Sequence, residues 1–599
     1  MILLERKKII KILIFCVAFF LILFLFPFFL DNLEINQKIA LIKDLGNFLL
    51  FLLIGICIID LVFLTIFKSN LYLFFYLNMF FTVLLFVLLE YCFLNNIYEF
   101  VYVWRHSASD LPIFYKTFAI WTGGAGSIMT WMLLNSIFIF SYRLKNQDKN
   151  DLVFIRSTIL SLSILIIFLM VLSYYDPFMT FSNLNEDIII QVYDTTIESI
   201  EIEVILFPDG YGLRSILQSL LLLWHPFFTF CSYAIMIVPF SITIAEIITP
   251  QKNLLHLYQK KFFNFSLKCE WLISTLALGL GAYWARTEVN WGNIYWGWDP
   301  VETALLVPWI FITAYFHLLA FEKPKKKIFM KLTIIACFLS IIFATLIVRG
   351  GGFTSLHAYI RGKEIIIYIL IIGLLLILFC FYIILTLVDL ISEMYKKPQI
   401  FINYSSAILF YFLAFVCIFG LLIPPLTFFL SEYFPITVIN IVPSYYIFST
   451  SVPAIGIAIS LIFCSIWRVY EIKQIGKLLI LIFFIQVCVT FLILLIVGFW
   501  INPVIAIYFF ALFASLFRLK KDINIKKGFK FFFMTNSKTI IHIGISLILL
   551  GTLGGPLLWQ DFFYITGFFV LLLGIIPSIV VVFFIPKKKE TTLSKENSK

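Results

Sequence analysis

The stretch WGNIYWGWDPVETALLVPW at 291–309 sets Trp291, Trp296, Trp298 and Trp309 beside Asp299 and Glu302. One or two tryptophans at a membrane boundary are ordinary, because the ring is apolar while its N–H seeks a partner. Four within nineteen residues, opening onto an apolar run, suggest a flat aromatic platform for a large planar ligand. The plainer alternative is an interfacial belt followed by a helix cap. Pro300 suits the first helical turn, where N–H groups are free anyway, and Asp299 is placed to cap it.

The chain has only six histidines. His225 precedes Pro226 near the outer end of an apolar span, and His357 lies in RGGGFTSLHAY on the same side. Each alone reads equally well as a satisfied interfacial side chain. As a pair flanking the aromatic loop they suit axial ligation of haem iron, which two imidazoles hold six-coordinate. His317 comes about 16 residues into its span, roughly 24 Å down at 1.5 Å per residue. His542 is expected a few residues into a span running the other way, which matches that depth. Histidine inside a membrane needs a partner or a task, so a second, buried bis-histidine haem is one reading. Separate core hydrogen bonds or a proton path are the others. His106 and His256 have no such pairing and read as structural. Arg349 precedes Gly350, Gly351 and Gly352 at the outer end of a span, where its fork fits a carboxylate or a lipid headgroup.

The elements that must hold these residues are membrane helices. The 599 residues are 62% hydrophobic and 13% charged, well below the charge of a soluble domain. Continuous apolar runs of 18 or more residues recur along the chain, each able to cross roughly 30 Å of hydrocarbon. Their continuity excludes a barrel. The expected fold is an all-α polytopic membrane protein of about 15–16 spans, by the length rule, with small external loops carrying the tryptophan motif. Residues 1–30 read as a retained first helix, since no small-residue cleavage site follows the basic start.

The net charge of +11 reports orientation and not nucleic-acid binding. Basic clusters at the N-terminus, 141–156, 249–270, 322–331, 396–397, 468–477, 518–530 and the C-terminal tail fall in alternate loops. By the positive-inside rule both termini are cytoplasmic, in the cell membrane, and the tryptophan loop faces outward. Loop 175–214, largely acidic with partial alternation, suggests a small external hairpin. We divide the chain into N-terminal spans 1–94, a membrane core 95–599, the external insertion 175–214 and the aromatic loop 287–300. The ten cysteines are scattered singly, without a Cys-x-x-Cys, which argues against a thiol-exchange or cysteine-metal site. Few intramembrane carboxylates are present to serve a transporter.

Together these motifs resemble the tryptophan-rich (W-W-D) haem-handling family of cytochrome c maturation proteins, most closely its long F-type members. WGNIYWGWDPVETA is similar to that family's W-G-G-x-W-x-W-D-P-V-E-N-A, and FATLIVRGGGFTSLHAY to its L-V-R-S-G-x-x-x-S-V-H-A-F. HSASDLPIFYKTFAIWTGGAGS at 106–127, LLLLWHPFF, HLLAFEK and IIHIG resemble its remaining signatures, in order. The resemblance implies that His225 and His357 hold the haem presented for ligation and that His317 and His542 hold a resident haem b. It implies a haem lyase subunit that joins haem vinyl groups to the thiols of Cys-x-x-Cys-His in apocytochrome c, the resident haem reducing the presented iron. Trp291, Trp296, Trp298, Asp299, Pro300 and Glu302 would form the platform, Arg349 would meet a propionate, and no residue is assigned as a catalytic acid or base. The implied partners are apocytochrome c, a haem delivery protein, subunits that reduce or hold the apocytochrome, and a quinol as electron donor. Departures are Thr303 for the usual asparagine, Phe227 for a second proline, Ala125 for an acidic residue, and one extra residue between Trp291 and Trp296. The alternatives are a haem exporter or carrier, or an unrelated multispanning transporter.

Overall fold

In lipid, a chain must satisfy its backbone hydrogen bonds within each spanning segment, so uninterrupted Leu, Ile and Phe runs become helices. The computed structural model describes residues 25–584 apart from 26, 69, 145–150, 184–200, 202–207, 250–256, 289–293, 320–323, 350–362, 393–397, 432, 467–476, 478–479, 482, 486, 489–502, 523–528 and 553–556. Among the described residues there is no sheet, only one isolated bridge between Phe100 and Thr180. Eleven described helices are long and apolar enough to cross a membrane. Two of the expected spans, the first and that near 478–500, lie wholly or largely outside the described residues. So does most of the hairpin expected in 175–214.

The chain forms two compact units. The first comprises residues 1–259, 341–370 and 428–436, and the second 260–340, 371–427 and 437–599.

The first unit contains α1 (Ile35–Ile66), α2 (Tyr72–Leu94), the short α3 (Val101–His106) and α4 (Ile113–Ala119), α5 (Gly124–Leu144), α6 (Leu152–Tyr175), α7 (Leu221–Ile235) and α8 (Ile237–Ile248). α6 packs against α1, α5 and α8, and α5 against α2 and α7. A fully buried ion pair binds α5 to α1. Arg143 reaches both carboxylate oxygens of Asp60, and its Nε and Nη2 donate to Asn70 Oδ1 at 3.0 and 2.8 Å. Above the spans, 208–212 lies along 104–109: Ser109 N donates to Asp209 O, and Tyr211 N to Trp104 O, both at 2.9 Å. Gly210 has φ +96°, and a Cβ there would overlap the Ser107 carbonyl oxygen, so only glycine fits.

The second unit holds α9 (Leu257–Thr287, from Lys260 on), α10 (Pro300–Leu318), α14 (Pro443–Ile466), α15 (Pro503–Asp522), α16 (Phe529–Thr552) and α17 (Leu557–Phe584). Helices α11 (Pro324–Arg349), α12 (Lys363–Ser392) and α13 (Pro398–Ser431) contribute to both units. α16 and α17 form an antiparallel pair whose backbones touch. Gly544 and Gly551 on one helix face Leu571 and Tyr564 on the other, and Gly567 and Gly574 face Ile548 and Ser537. A Cβ at any of the four would lie within 3.0 Å of the opposing backbone, so small residues set the approach. α15 packs on both α14 and α16.

Candidate functional site

The aromatic loop belongs to the second unit. Asp299 has the extended backbone of an N-cap, and its Oδ2 accepts the Val301 N–H at 2.9 Å, with Pro300 in the first turn. Glu302, three residues on, accepts the Gly297 N–H at 3.1 Å and also engages the Asp299 backbone N–H, closing a capping box. Both side chains therefore bond backbone N–H groups at the start of α10.

Trp298 has φ 57°, a left-handed conformation that a bulky side chain avoids, and such strain persists only where neighbours enforce it. The enforcing neighbour is Tyr446 of α14, whose ring stacks on Trp298 at 5.3 Å and 6°. Gly420 of α13 makes room for it, since a Cβ there would lie 2.7 Å from the rings of Tyr445 and Tyr446. Trp296 meets Trp298 edge-on at 5.9 Å and 85°. The expected flat shelf is thus, for these two rings, a corner, with one Trp298 face already covered. Trp296 Nε1 is buried without a hydrogen-bond partner, which leaves a donor for a ligand. Trp291 lies outside the described residues. Tyr446 gave no signal in the sequence, because nothing in its own stretch marks it.

His317 and His542 also both lie in the second unit. His317 Nδ1 lies 2.9 Å from the Thr313 carbonyl oxygen, so Nδ1 carries the proton and Nε2 keeps its lone pair. That is the tautomer of a metal-ligating imidazole, whose second nitrogen donates to a carbonyl. The Thr313 hydroxyl in turn donates to Trp309 O at 2.7 Å and accepts from Trp271 Nε1 at 2.8 Å. Trp309 Nε1 donates to Thr275 Oγ1 at 2.8 Å, and Trp271 and Trp309 stack at 6.1 Å. The fourth tryptophan of the motif is therefore a support for the helix turn that carries His317. Phe410 packs against the His317 ring at 5.1 Å.

His542 is close enough to His317 for the two rings to interact electrostatically, and its Nδ1 is buried without a partner. An unpartnered imidazole nitrogen within electrostatic reach of a second imidazole whose Nε2 is free fits a group that takes two axial nitrogens. His542 sits further along its helix than the sequence suggests. It lies not a few residues in but about 13 beyond Phe529, roughly 20 Å along. The polar run TNSK does not end the helix, because Asn536 Nδ2 donates to Phe532 O at 3.1 Å and α17 packs tightly against Ser537.

In the first unit, His225 stands in the second turn of α7, half-buried, and its carbonyl accepts the Thr229 hydroxyl at 2.9 Å. His357 and His256 lie outside the described residues, so no distance joins His225 to His357. Arg349 ends α11 and is 9% exposed. Its Nη2 donates to Ser127 Oγ at 2.9 Å while Nη1 has no partner, leaving a buried cation with an unused donor. His106 is packed under Tyr102, its ring 4.7 Å away, and against Gly123, where a Cβ would overlap Nε2. Burial, then Arg105 and Arg214, holds its pKa down to about 3, so it is neutral and structural.

Residues 121–354 match the family model described as "Cytochrome C assembly protein". That interval contains His225, the aromatic loop, His317 and Arg349, while His357 and His542 follow it. The chain is 31% identical over 284 residues to the probable cytochrome c-type biogenesis protein NrfE of Escherichia coli K12, covering 46% of this chain and 46% of that one. It is 29% identical over 302 residues to the cytochrome c-type biogenesis protein CcmF of the same organism, covering 49% and 43%. Over about half of its length the chain is thus similar in sequence to the cytochrome c-type biogenesis proteins NrfE and CcmF. These alignments span less than half of the relatives' own lengths. The NrfE of Haemophilus influenzae, 32% identical, aligns over 45% of this chain and 39% of its own. A solved structure titled "Cytochrome c Heme Lyase CcmF" shares the fold, with TM-score 0.57 and 16% identity over 86% of this chain and 76% of that one. The fold of these biogenesis proteins thus extends well beyond the segment in which sequence is retained.

Proposed function

We propose that this chain is a haem lyase subunit that presents haem at the outer membrane face for covalent attachment to apocytochrome c. The observation that carries the reading is the imidazole arrangement of the second unit. There, His317 keeps a free Nε2, its Nδ1 backed by a carbonyl, within electrostatic reach of His542, whose buried Nδ1 has no partner. These two would hold a resident haem b, whose chemistry when bound is one-electron transfer. Thr313 fixes the tautomer of His317, and the stacked Trp271–Trp309 pair braces that turn through the Trp271 Nε1 bond to the Thr313 hydroxyl.

His225 and His357 would hold the haem that is the substrate. In the first unit, Arg349 Nη1 supplies the unpaired donor for a propionate. In the second unit, taken by itself, the corner made by Trp296 and Trp298 offers haem two walls at right angles with one indole N–H. In the reaction each thiol S–H of a Cys-x-x-Cys-His segment adds across a vinyl double bond. The protein contributes placement and not proton transfer, since Asp299 and Glu302 already hold backbone N–H groups. This reading puts the aromatic loop outside the cell membrane and both termini in the cytoplasm. Its partners are apocytochrome c, a haem delivery protein, subunits that reduce the apocytochrome thiols or hold the apocytochrome, and a quinol as electron source.

Reconstitution tests the reading. Purified protein loaded with haem and given a reduced Cys-x-x-Cys-His apocytochrome should yield an acid-resistant haem–peptide adduct. His225→Ala and His357→Ala should abolish the adduct while leaving resident haem in place. Haem release to the apocytochrome without a covalent product would contradict the lyase and leave a carrier.

A further inference from the structure

The aromatic loop is fixed at a second point, Tyr295, which immediately precedes Trp296 and is 1% exposed. Its ring stacks on Tyr564 of α17 at 3.9 Å and 18°, and its hydroxyl donates to Asp561 Oδ1 at 2.6 Å. Asp561 in turn takes both arms of Arg286, from the last turn of α9: Nε to Oδ1 at 3.2 Å and Nη2 to Oδ2 at 3.3 Å. The guanidinium carbon lies 5.5 Å from the Tyr295 ring centroid. The mount itself is tied, since Tyr564 Oη donates to the Gly279 carbonyl of α9 at 2.7 Å. Burial, then Asp561, pushes the Tyr295 phenol well above its ordinary value, so it remains a donor.

We infer that Asp561 and Arg286 are positioning residues for the haem-presenting loop, acting through Tyr295. This rests on the haem reading of the loop. Asp561 is 266 residues from Tyr295 and is 43% exposed, yet it is the acceptor on which the loop's buried anchor ends. A charge-assisted hydrogen bond of this length, in line with a two-armed Arg contact, fixes both distance and orientation. Trp296 packs on the Ala282–Tyr295–Tyr564 cluster, so one peptide link carries the constraint from Tyr295 to the unpartnered indole N–H. Trp298 is held separately by Tyr446, and the corner between the rings is defined only while both mounts hold. In this arrangement α9 and α17 set one wall of the corner, and α14 sets the other.

The test uses the full chain, purified with its resident haem, in four forms: Asp561→Asn, Asp561→Glu, Tyr295→Phe, and the double variant that combines Asp561→Asn with Tyr295→Phe. Added ferric protoporphyrin IX is titrated by absorption, and amide hydrogen exchange is followed across 294–302 and α16–α17. Asp561→Asn keeps the side-chain shape but loses the charge, and Tyr295→Phe keeps the stack but loses the donor. Each of these two single variants should weaken binding of added haem about tenfold and raise exchange in the loop. The double variant should be no worse than the singles, because both remove one interaction. Asp561→Glu should recover most of the affinity, and protection of α16–α17 should stay unchanged throughout. Wild-type loop exchange in Asp561→Asn would overturn the positioning role. So would additive losses in the double variant. Faster loop exchange with unaltered haem affinity would uphold the clamp and overturn the loop as a haem surface.

Discussion

Replacing Asp299 separates structure from chemistry in the aromatic loop. Its Oδ2 accepts one N–H, that of Val301 at 2.9 Å, in N-cap geometry. Loss of such a cap costs about 1 kcal/mol, and asparagine caps as well as aspartate does. The cap opposes a strained neighbour, because Trp298 at φ 57° stores about 1–3 kcal/mol in its backbone. Asp299→Ala removes about 1 kcal/mol from the side that holds the loop, which lowers the ratio of ordered to disordered loop about fivefold. Asp299→Asn keeps an acceptor oxygen in place and should stay within about twofold of the parent. The assay is the initial rate of covalent haem attachment to an apocytochrome, measured alongside hydrogen exchange of 294–302. If Asp299→Asn is as damaging as Asp299→Ala, a carboxylate charge or proton is needed there and the capping argument is wrong.

Three further outcomes follow from the packing. Arg143→Met leaves Asp60 buried and alone and should destabilise the first unit by about 3–5 kcal/mol, whereas Arg143→Met with Asp60→Leu should restore most of that. The rate of Cys57 alkylation reports it, since that thiol is fully buried one turn from Asp60 and accepts from Asn78 Nδ2 at 2.8 Å. Gly420→Ala would push its Cβ to 2.7 Å from the Tyr446 ring and should dislodge the stack on Trp298, read as faster exchange in the loop with α16–α17 unaffected. His106, with its pKa lowered to about 3, stays neutral in the fold while the unfolded chain takes up a proton below about 6.5. Stability therefore falls as pH drops through that window, by about 1–2 kcal/mol between pH 7 and 5, and His106→Gln should flatten the dependence in a thermal-unfolding series.

Local chemistry was legible in the sequence and distant contacts were not. Asp299 as a cap and Pro300 as the helix start follow from residue preferences within five positions, and the structure has both. The all-helical membrane class follows from uninterrupted apolar runs, because lipid leaves the backbone no other solution. The start of α16 was not legible, because Thr535, Asn536, Ser537 and Lys538 look like a loop. Their place in a helix depends on Asn536 bonding back to Phe532 and on the glycine-lined contact with α17. Tyr446, Asp561 and Tyr564 reach the aromatic loop from more than 140 residues away, and neither periodicity nor motif spacing carries that information. The angle between Trp296 and Trp298 depends on those same partners, so the count of rings suggested a shelf where the backbone turn and Tyr446 make a corner.

The most direct measurement of the account is the absorption spectrum of purified protein with His317→Ala and His542→Ala made separately. Each should lose a stable, reducible b-type signal, while Thr313→Val, which leaves the carbonyl acceptor to His317 in place, should retain it. Parent haem content and an unshifted spectrum in both alanine variants would contradict the paired-imidazole site and the electron-transfer role built on it.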